Sequence, residues 1–563
     1  MAPRLHRIAL LAVSLTLPIA GCGHSSGNAP TDGGKKDVDT GSPQTDSGGG
    51  PVDGGTGHAG DLLTQRGDVS RTGVNAQETV LTQENVSTKT FGKLGSFAVD
   101  GAMYTQPLYV SSYPVGGAMH NVLIAATASN FVYAFDADSG ASIWSGPVNL
   151  GPPVPARAVG TNGTNAFPGA NLIGVIGTPV IDRANGLLYV ANMDYVNNVV
   201  AHRFHVLSLA TGAEMKGSPV LVSPQLAGTG DGTSTLSFPP AHELNRAGLL
   251  LLNGVVYVAY ASQFDQRPYH GFILGFHYDA TTGTVSQPLA WATTADGQAG
   301  GIWQGGQGLT ADAENNIYVM TGNGDTTAPD GGSSYGESFV KLTPELKVLD
   351  WFAPYDSDDL SAQDLDVGAG GPILIPGTSF VAGAGKPGLL YILDSRSMGH
   401  VSTGDTQIVQ EFSVSRVFFG SPLAWQGAGE TRLYLWGSDG PLQEFLLSSG
   451  KLGTRPAVTS MATNAAGLVS QAALSLSWNG KDATSAVLWA NKPMTNANAV
   501  LVPGILYAFD PITLTDLWDS SLVTRDNLGD FSKIVPPTVA NGKVYVATSS
   551  GEVVAYGLLP DGG

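Results

Sequence analysis

The chain has 563 residues, a formal net charge of −19, only 13% charged residues, 75 glycines and one cysteine. An acidic balance without basic clusters argues against nucleic acid as a partner. A single cysteine excludes an internal disulfide, a c-type haem attachment and cysteine-built zinc or iron–sulfur sites, so no haem is expected.

Residues 1–21 read as an export signal. Arg4 and Arg7 form a basic start, and Ile8 to Ile19 is an apolar run too short to span a bilayer. The run closes on Ile19-Ala20-Gly21-Cys22, which resembles the bacterial lipobox, whose cysteine is acylated and becomes the mature N-terminus. That role accounts for both the presence and the solitude of Cys22; the alternative is a chance cysteine behind an uncleaved signal. Residues 22–60 follow as a tether. Twelve of the 38 residues from 23 to 60 are glycine and none is aromatic, so the segment cannot bury enough apolar surface to fold. As a flexible coil it reaches roughly 35 Å. The G-x-S-x-G match at Gly23–Gly27 lies in this tether without a strand or helix to hold Ser25, and is discarded as a nucleophile elbow. The expectation is a protein exported and lipid-anchored in the cell envelope, with the outer membrane as the site and either its periplasmic or its surface face.

Residues 61–563 carry a repeat. Phe131-Val132-Tyr133-Ala134-Phe135-Asp136 is followed by Gly140 and Trp144, and Leu506-Tyr507-Ala508-Phe509-Asp510 by Trp518. Weaker copies start near Phe204, Phe272, Phe339, Leu389, Leu442 and Val553, which makes eight. A preceding strand recurs at Leu123, Leu188, Val256, Ile317, Phe380, Leu433, Val487 and Val544. A third series, often opening on proline, begins at Pro107, Pro179, Gly248, Gly308, Pro372, Pro422, Ala472 and Pro537. Alternating apolar residues between Gly, Asn and Asp turns fit twisted antiparallel sheets. The predicted fold is all-β: a single eight-bladed propeller of four-stranded blades. The last copy ends at Tyr556 with no residues left for an outer strand, so Gly92–Phe97 is predicted to complete the eighth blade and close the ring. Two smaller propellers or a pair of sandwiches would need a linker that the repeat lacks.

The unit Val-Tyr-Ala-Phe-Asp with its trailing Gly and Trp is similar to the repeat of pyrroloquinoline quinone (PQQ) propellers, over about residues 62–558. Gln65–Asn75 also resembles the start of bacterial PQQ-repeat proteins. The repeat itself is scaffold and speaks for fold rather than activity. Chemistry belongs to the loops on one rim: those leading into each innermost strand and those joining second to third strands. There the resemblance implies five roles. Trp303, in Gly300-Gly301-Ile302-Trp303, corresponds to the tryptophan floor beneath a flat quinone, for which an indole has the face. Asn323, in Thr321-Gly322-Asn323, corresponds to an amide ligand of Ca²⁺, and Asp265 stands roughly where that family keeps a glutamate ligand. Asp364 and Asp366 resemble an Asp-x-Asp whose second acid accepts a proton beside the metal, of which Asp366 is also a ligand. Lys386 resembles the cation facing the quinone oxygens. Hard oxygen donors suit Ca²⁺, and a carboxylate beside it would take an alcohol proton as hydride leaves.

Each residue also has a plain structural reading. Trp303 serves equally as a blade-packing aromatic, Asn323-Gly324-Asp325 as a turn, and Asp364 and Asp366 as loop caps. Gly383–Gly388 matches G-x-G-x-x-G, but a strand follows, so a dinucleotide site fails its context. Three departures from the family bear on the cofactor. The vicinal cysteines that cover the quinone are absent, Asp265 is shorter than glutamate, and Pro387 stands where the family has Asn. The expected function is a PQQ- and Ca²⁺-dependent oxidoreductase of alcohols or sugars, monomeric and passing electrons to a separate acceptor. The alternative is a non-catalytic envelope scaffold or ligand-binding propeller acting through rim loops such as 242–246 and 415–419.

Overall fold

The structure, a computed structural model, describes residues 58, 60–159, 171–464, 471–498 and 500–560. The signal, Cys22 and the tether apart from His58 and Gly60 lie outside the described residues.

The described residues fold into eight blades ordered as the repeat predicts, five of four strands and three carrying a fifth, antiparallel except where Val74–Asn75 pairs parallel with the inner strand of blade 7. Blade 1 runs Leu108–Val115, Ala118–Ala126, Phe131–Asp136 and Val148–Asn149 from inner to outer strand. Blade 3 is built on Leu250–Leu252, Val255–Ser262, Phe272–Asp279 and Thr284–Ala292. Blade 4 comprises Thr310–Ala311, Ile317–Met320, Phe339–Leu342 and Val348–Phe352, and blade 5 Ile373–Leu374, Phe380–Ala384, Leu389–Asp394 and Gln410–Ser413. The inner strands of blades 2, 6, 7 and 8 are Val180–Asp182, Leu423–Gly427, Ala473–Ser477 and Thr538–Ala540. The strands read as near-continuous apolar runs because both faces of each sheet are covered by neighbouring blades. One core layer, for example, joins Val122, Ile124, Val132 and Ala134 of blade 1 to Ile181, Leu188 and Val190 of blade 2.

Ring closure follows the prediction. Strand Phe91–Ala98 pairs antiparallel with Glu552–Leu558 and supplies the outer strand of blade 8. Phe91 anchors it, fully buried, with its ring 4.9 Å from that of Trp518 and 5.4 Å from that of Trp489.

The segment ahead of this strand has a role that spacing does not announce. An innermost strand presents unpaired amides and carbonyls to the axis, where they need partners. Residues 62–75 wind past all eight, with blade 3 reached by the Arg71 side chain. Leu62 exchanges bonds with Tyr109 of blade 1, and Leu63 O accepts from Ile181 of blade 2. Arg71 donates to the carbonyls of Leu249, just ahead of blade 3, and of Leu309, just ahead of blade 4. Val69, Ser70, Thr72 and Gly73 then accept from Ala311, Leu374, Ala424 and Leu476 of blades 4 to 7. Asn75 Nδ2 ends the circuit on Val539 O of blade 8. The winding narrows the channel: a void of about 20 Å³ remains between Gln65 and Arg66 and the strand-leading loops of blades 4, 6, 7 and 8. That is room for about one water.

Candidate functional site

Three of the rim loops converge where blades 4 and 5 meet. Asn323 follows Ile317–Met320, Asp364 and Asp366 follow the short helix Ser357–Ala362, and Lys386 follows Phe380–Ala384. The Asn323 backbone amide donates to Asp366 Oδ1 at 2.7 Å, and Asn323 Nδ2 donates to Asp364 Oδ1 at 2.8 Å. Lys386 Nζ bridges both acids, 2.5 Å from Asp364 Oδ1 and in direct contact with Asp366 Oδ2. The two acids differ in setting: the Asp366 side chain is 6% exposed and that of Asp364 67%. Of the pair, Asp366 is therefore the one placed to act in a water-poor site.

Trp303 adjoins this group. A methyl built on Gly322 would stand 2.4 Å from Asp366 Oδ1 and 3.3 Å from Trp303 Cδ1, so only glycine lets the backbone pass between them. The half-buried indole leans on an apolar cluster from the rim loops of blades 1 to 3, including Tyr104, Ile176, Met193 and Leu244. Asp265, in the corresponding loop of blade 3, accepts from Tyr269 Oη at 2.8 Å and from Ser262 Oγ at 3.2 Å. Its negative charge reaches Asp366.

Burial sets the electrostatics. It pushes the Asp366 carboxyl above its ordinary value, against the pull of Lys386 and the Asn323 amide. Burial draws Lys386 down, but Asp366 and Asp364 more than offset this and hold the ammonium charged. Several loop residues sit at positive φ where a side chain is strained: Asp265, Gln304, Glu337 and Asp364, at 53°, 47°, 47° and 57°.

Two features were given no role by the sequence, although Arg246 ends the rim loop 242–246 noted there. Glu337 is fully buried beside Asp366, with Oε2 accepting from the Val367 amide and Oε1 without a partner. Burial and the Asp366 charge push it to about 9, so it is neutral at pH 7. A Glu between Gly336 and Ser338 looks like any residue ahead of a strand. The second feature is cationic. Arg246 and Lys533, from the loops leading into blades 3 and 8, are both buried. Burial lowers Arg246 to about 10; burial and then Arg246 lower Lys533 to about 7. The Arg246 guanidinium lies over Gly306, beside the Trp303 loop.

The donors can be weighed against the groups the fold suggests. Calcium takes six to eight oxygens, usually several from carboxylates. Here the Asp366, Asp364 and Asp265 side chains already accept from protein donors. The two unpartnered oxygens, Asn323 Oδ1 and Glu337 Oε1, belong to neutral groups. Among the described residues no three His, Cys, Asp or Glu side chains stand together to hold a metal ion. As they stand, Asn323, Asp366 and Asp265 do not fit calcium. What the group does offer is a flat indole face at Trp303, an open backbone at Gly322, and the charged Lys386, with Arg246 beside the Trp303 loop.

No protein-family model matches the chain, and no curated protein sequence does. Solved structures do match in fold. The chain aligns with a europium-containing methanol dehydrogenase at a TM-score of 0.54 and 14% identity, over 89% of this chain and 98% of that one. The quinohemoprotein alcohol dehydrogenase of Comamonas testosteroni gives 0.51 and 15%, over 91% and 84%. That of Pseudomonas putida HK5 named ADHIIG gives 0.50 and 13%, over 89% and 80%. The chain is an eight-bladed β-propeller with the fold of these alcohol and methanol dehydrogenases.

Proposed function

We propose that this protein is an envelope oxidoreductase that takes a PQQ-like quinone at the rim where blades 4 and 5 meet, and oxidises an alcohol or sugar hydroxyl. One observation carries the reading: Trp303, Asn323, Asp366 and Lys386, from separate rim loops, adjoin one another at one point. When bound, such a quinone supplies a two-electron acceptor for hydride. The residues of the chain have the remaining tasks. Trp303 lies under the flat ligand, and Lys386 faces its oxygens. Arg246, still charged at about 10, balances a carboxylate of the ligand, and an anion beside Lys533 would favour its charged form. Asp366, raised by burial, accepts the hydroxyl proton as the carbonyl product forms. Electrons then pass to a separate acceptor protein, and Cys22 anchors the whole to a membrane by its acyl chains.

Titration of the purified protein with PQQ tests the reading. A 1:1 absorbing complex at micromolar concentration, weakened at least tenfold in Trp303→Ala, supports it; absence of any complex leaves the scaffold alternative. The anchor has its own test: Cys22→Ser should move the protein from the membrane pellet to the soluble fraction.

A further inference from the structure

The cation between Asp364 and Asp366 is a side chain. Lys386 Nζ reaches an oxygen of each, and its own loop is locked in place: its backbone amide donates to Asp366 O at 2.9 Å, and Gly388 N donates to Gly385 O at 2.9 Å. The lysine side chain is 18% exposed and that of Asp366 6%, so this pair is largely shielded from solvent, while Asp364 lies open to it. Asp366 has its second oxygen on the Asn323 amide, and Asn323 turns its amide nitrogen, not its oxygen, toward Asp364. Asp265 is held by Tyr269 and Ser262. Asp364, Asp366 and Asp265 thus each hold a protein partner, and the Asn323 oxygen alone is left without one.

We propose that Lys386 takes the place of a divalent cation: its ammonium is the resident positive charge of the site, which binds an oxyanionic or carbonyl ligand and takes up no divalent metal. The physical reason is competition. A dication between Asp364 and Asp366 would have to displace an ammonium already paired with both. That would strand a shielded lysine charge beside a metal, a like-charge contact in a low-dielectric setting. It would also have to turn the Asn323 amide over and break its bond to Asp364. A tethered cation costs no binding entropy and is not lost to chelators, but it delivers one charge where a metal delivers two. Removing it would uncover two carboxylates at one point and, once the Asn323 amide turns over, its oxygen, a donor set suited to Ca²⁺ or a lanthanide. The inference concerns the site itself, and only the identity of its ligand rests on the quinone reading.

Terbium luminescence on chelator-treated protein, with calcium titration calorimetry beside it, is the test. Wild type should show no saturable site below about 100 µM, and its melting temperature should be the same in EDTA and in 1 mM Ca²⁺. Lys386→Met should gain one terbium site at least tenfold tighter, lost again in Lys386→Met/Asp366→Asn. Lys386→Arg, which keeps the charge, should stay without it. One micromolar terbium or calcium site in wild type that Asp366→Asn abolishes would overturn the proposal. So would a correctly folded Lys386→Met that gains nothing. Should Lys386→Met fail to fold, the wild-type titration with its Asp366→Asn control still decides. PQQ binding in EDTA is read separately: its failure would sink the quinone reading and leave the metal result standing.

Discussion

The Val367 amide donates to Glu337 Oε2 at 2.6 Å, which ties the loop leading into blade 5 to the loop joining the middle strands of blade 4. Val367 directly follows Asp366, so the Asp366 carboxyl stands near one that burial keeps neutral at pH 7.

Glu337 makes stability depend on pH. Its folded value of about 9 lies above the ordinary 4.5, so between these the folded chain holds a proton that the unfolded chain releases. Stability contributed by the neutral form is therefore full below about pH 4.5 and is lost as pH rises toward 9, by up to about 1.4 kcal/mol per pH unit. Glu337→Gln keeps an acceptor for Val367 and removes the proton. Urea melts at pH 5, 7 and 9 should show a smaller fall in the variant than in wild type.

Arg71 is fully buried on the axis and donates to Thr64 Oγ1 and to the carbonyls of Gln65, Leu249 and Leu309. A planar fork with five donors can span these; an ammonium cannot. Arg71→Ala leaves several dry carbonyls without donors and should cost about 3–5 kcal/mol by chemical denaturation. Arg71→Lys should recover less than half of that.

Phe91 is the aromatic anchor of the closing strand, packed against Trp489, Trp518 and Tyr556. Phe91→Ala opens a cavity in this cluster and should cost about 3–5 kcal/mol. Because the strand closes the ring between the first and last parts of the chain, hydrogen exchange should quicken first in 91–98 and 552–558.

Gly322 separates Trp303 from Asp366 by backbone alone. Gly322→Ala would drive its methyl into Asp366 Oδ1. The carboxylate must then shift away from the Asn323 amide. PQQ affinity should fall at least tenfold while far-UV circular dichroism stays unchanged.

The architecture was legible in the chain because blade formation is local. Short apolar strands broken by Gly, Asn and Asp turns recur eight times, and the count left one strand short at the end and one spare at Gly92–Phe97. Pairing of Phe91–Ala98 with Glu552–Leu558 follows from that arithmetic. The rim residues were legible as candidates, since the blade pattern tells which loops share a face. Tertiary structure alone decided what they do to one another. Lys386 and Asp366 lie 20 residues apart in two separate loops of blade 5, and nothing in their spacing says that an ammonium will fill the gap between two acids. The buried Glu337, the Arg246 and Lys533 pair, and the winding of residues 62–75 past eight inner strands depend likewise on loops brought together by ring closure. Short-range pattern sets strands and turns because backbone pairing is repetitive. Charge, burial and the partner of each polar atom are set by whichever loops the closed ring places opposite.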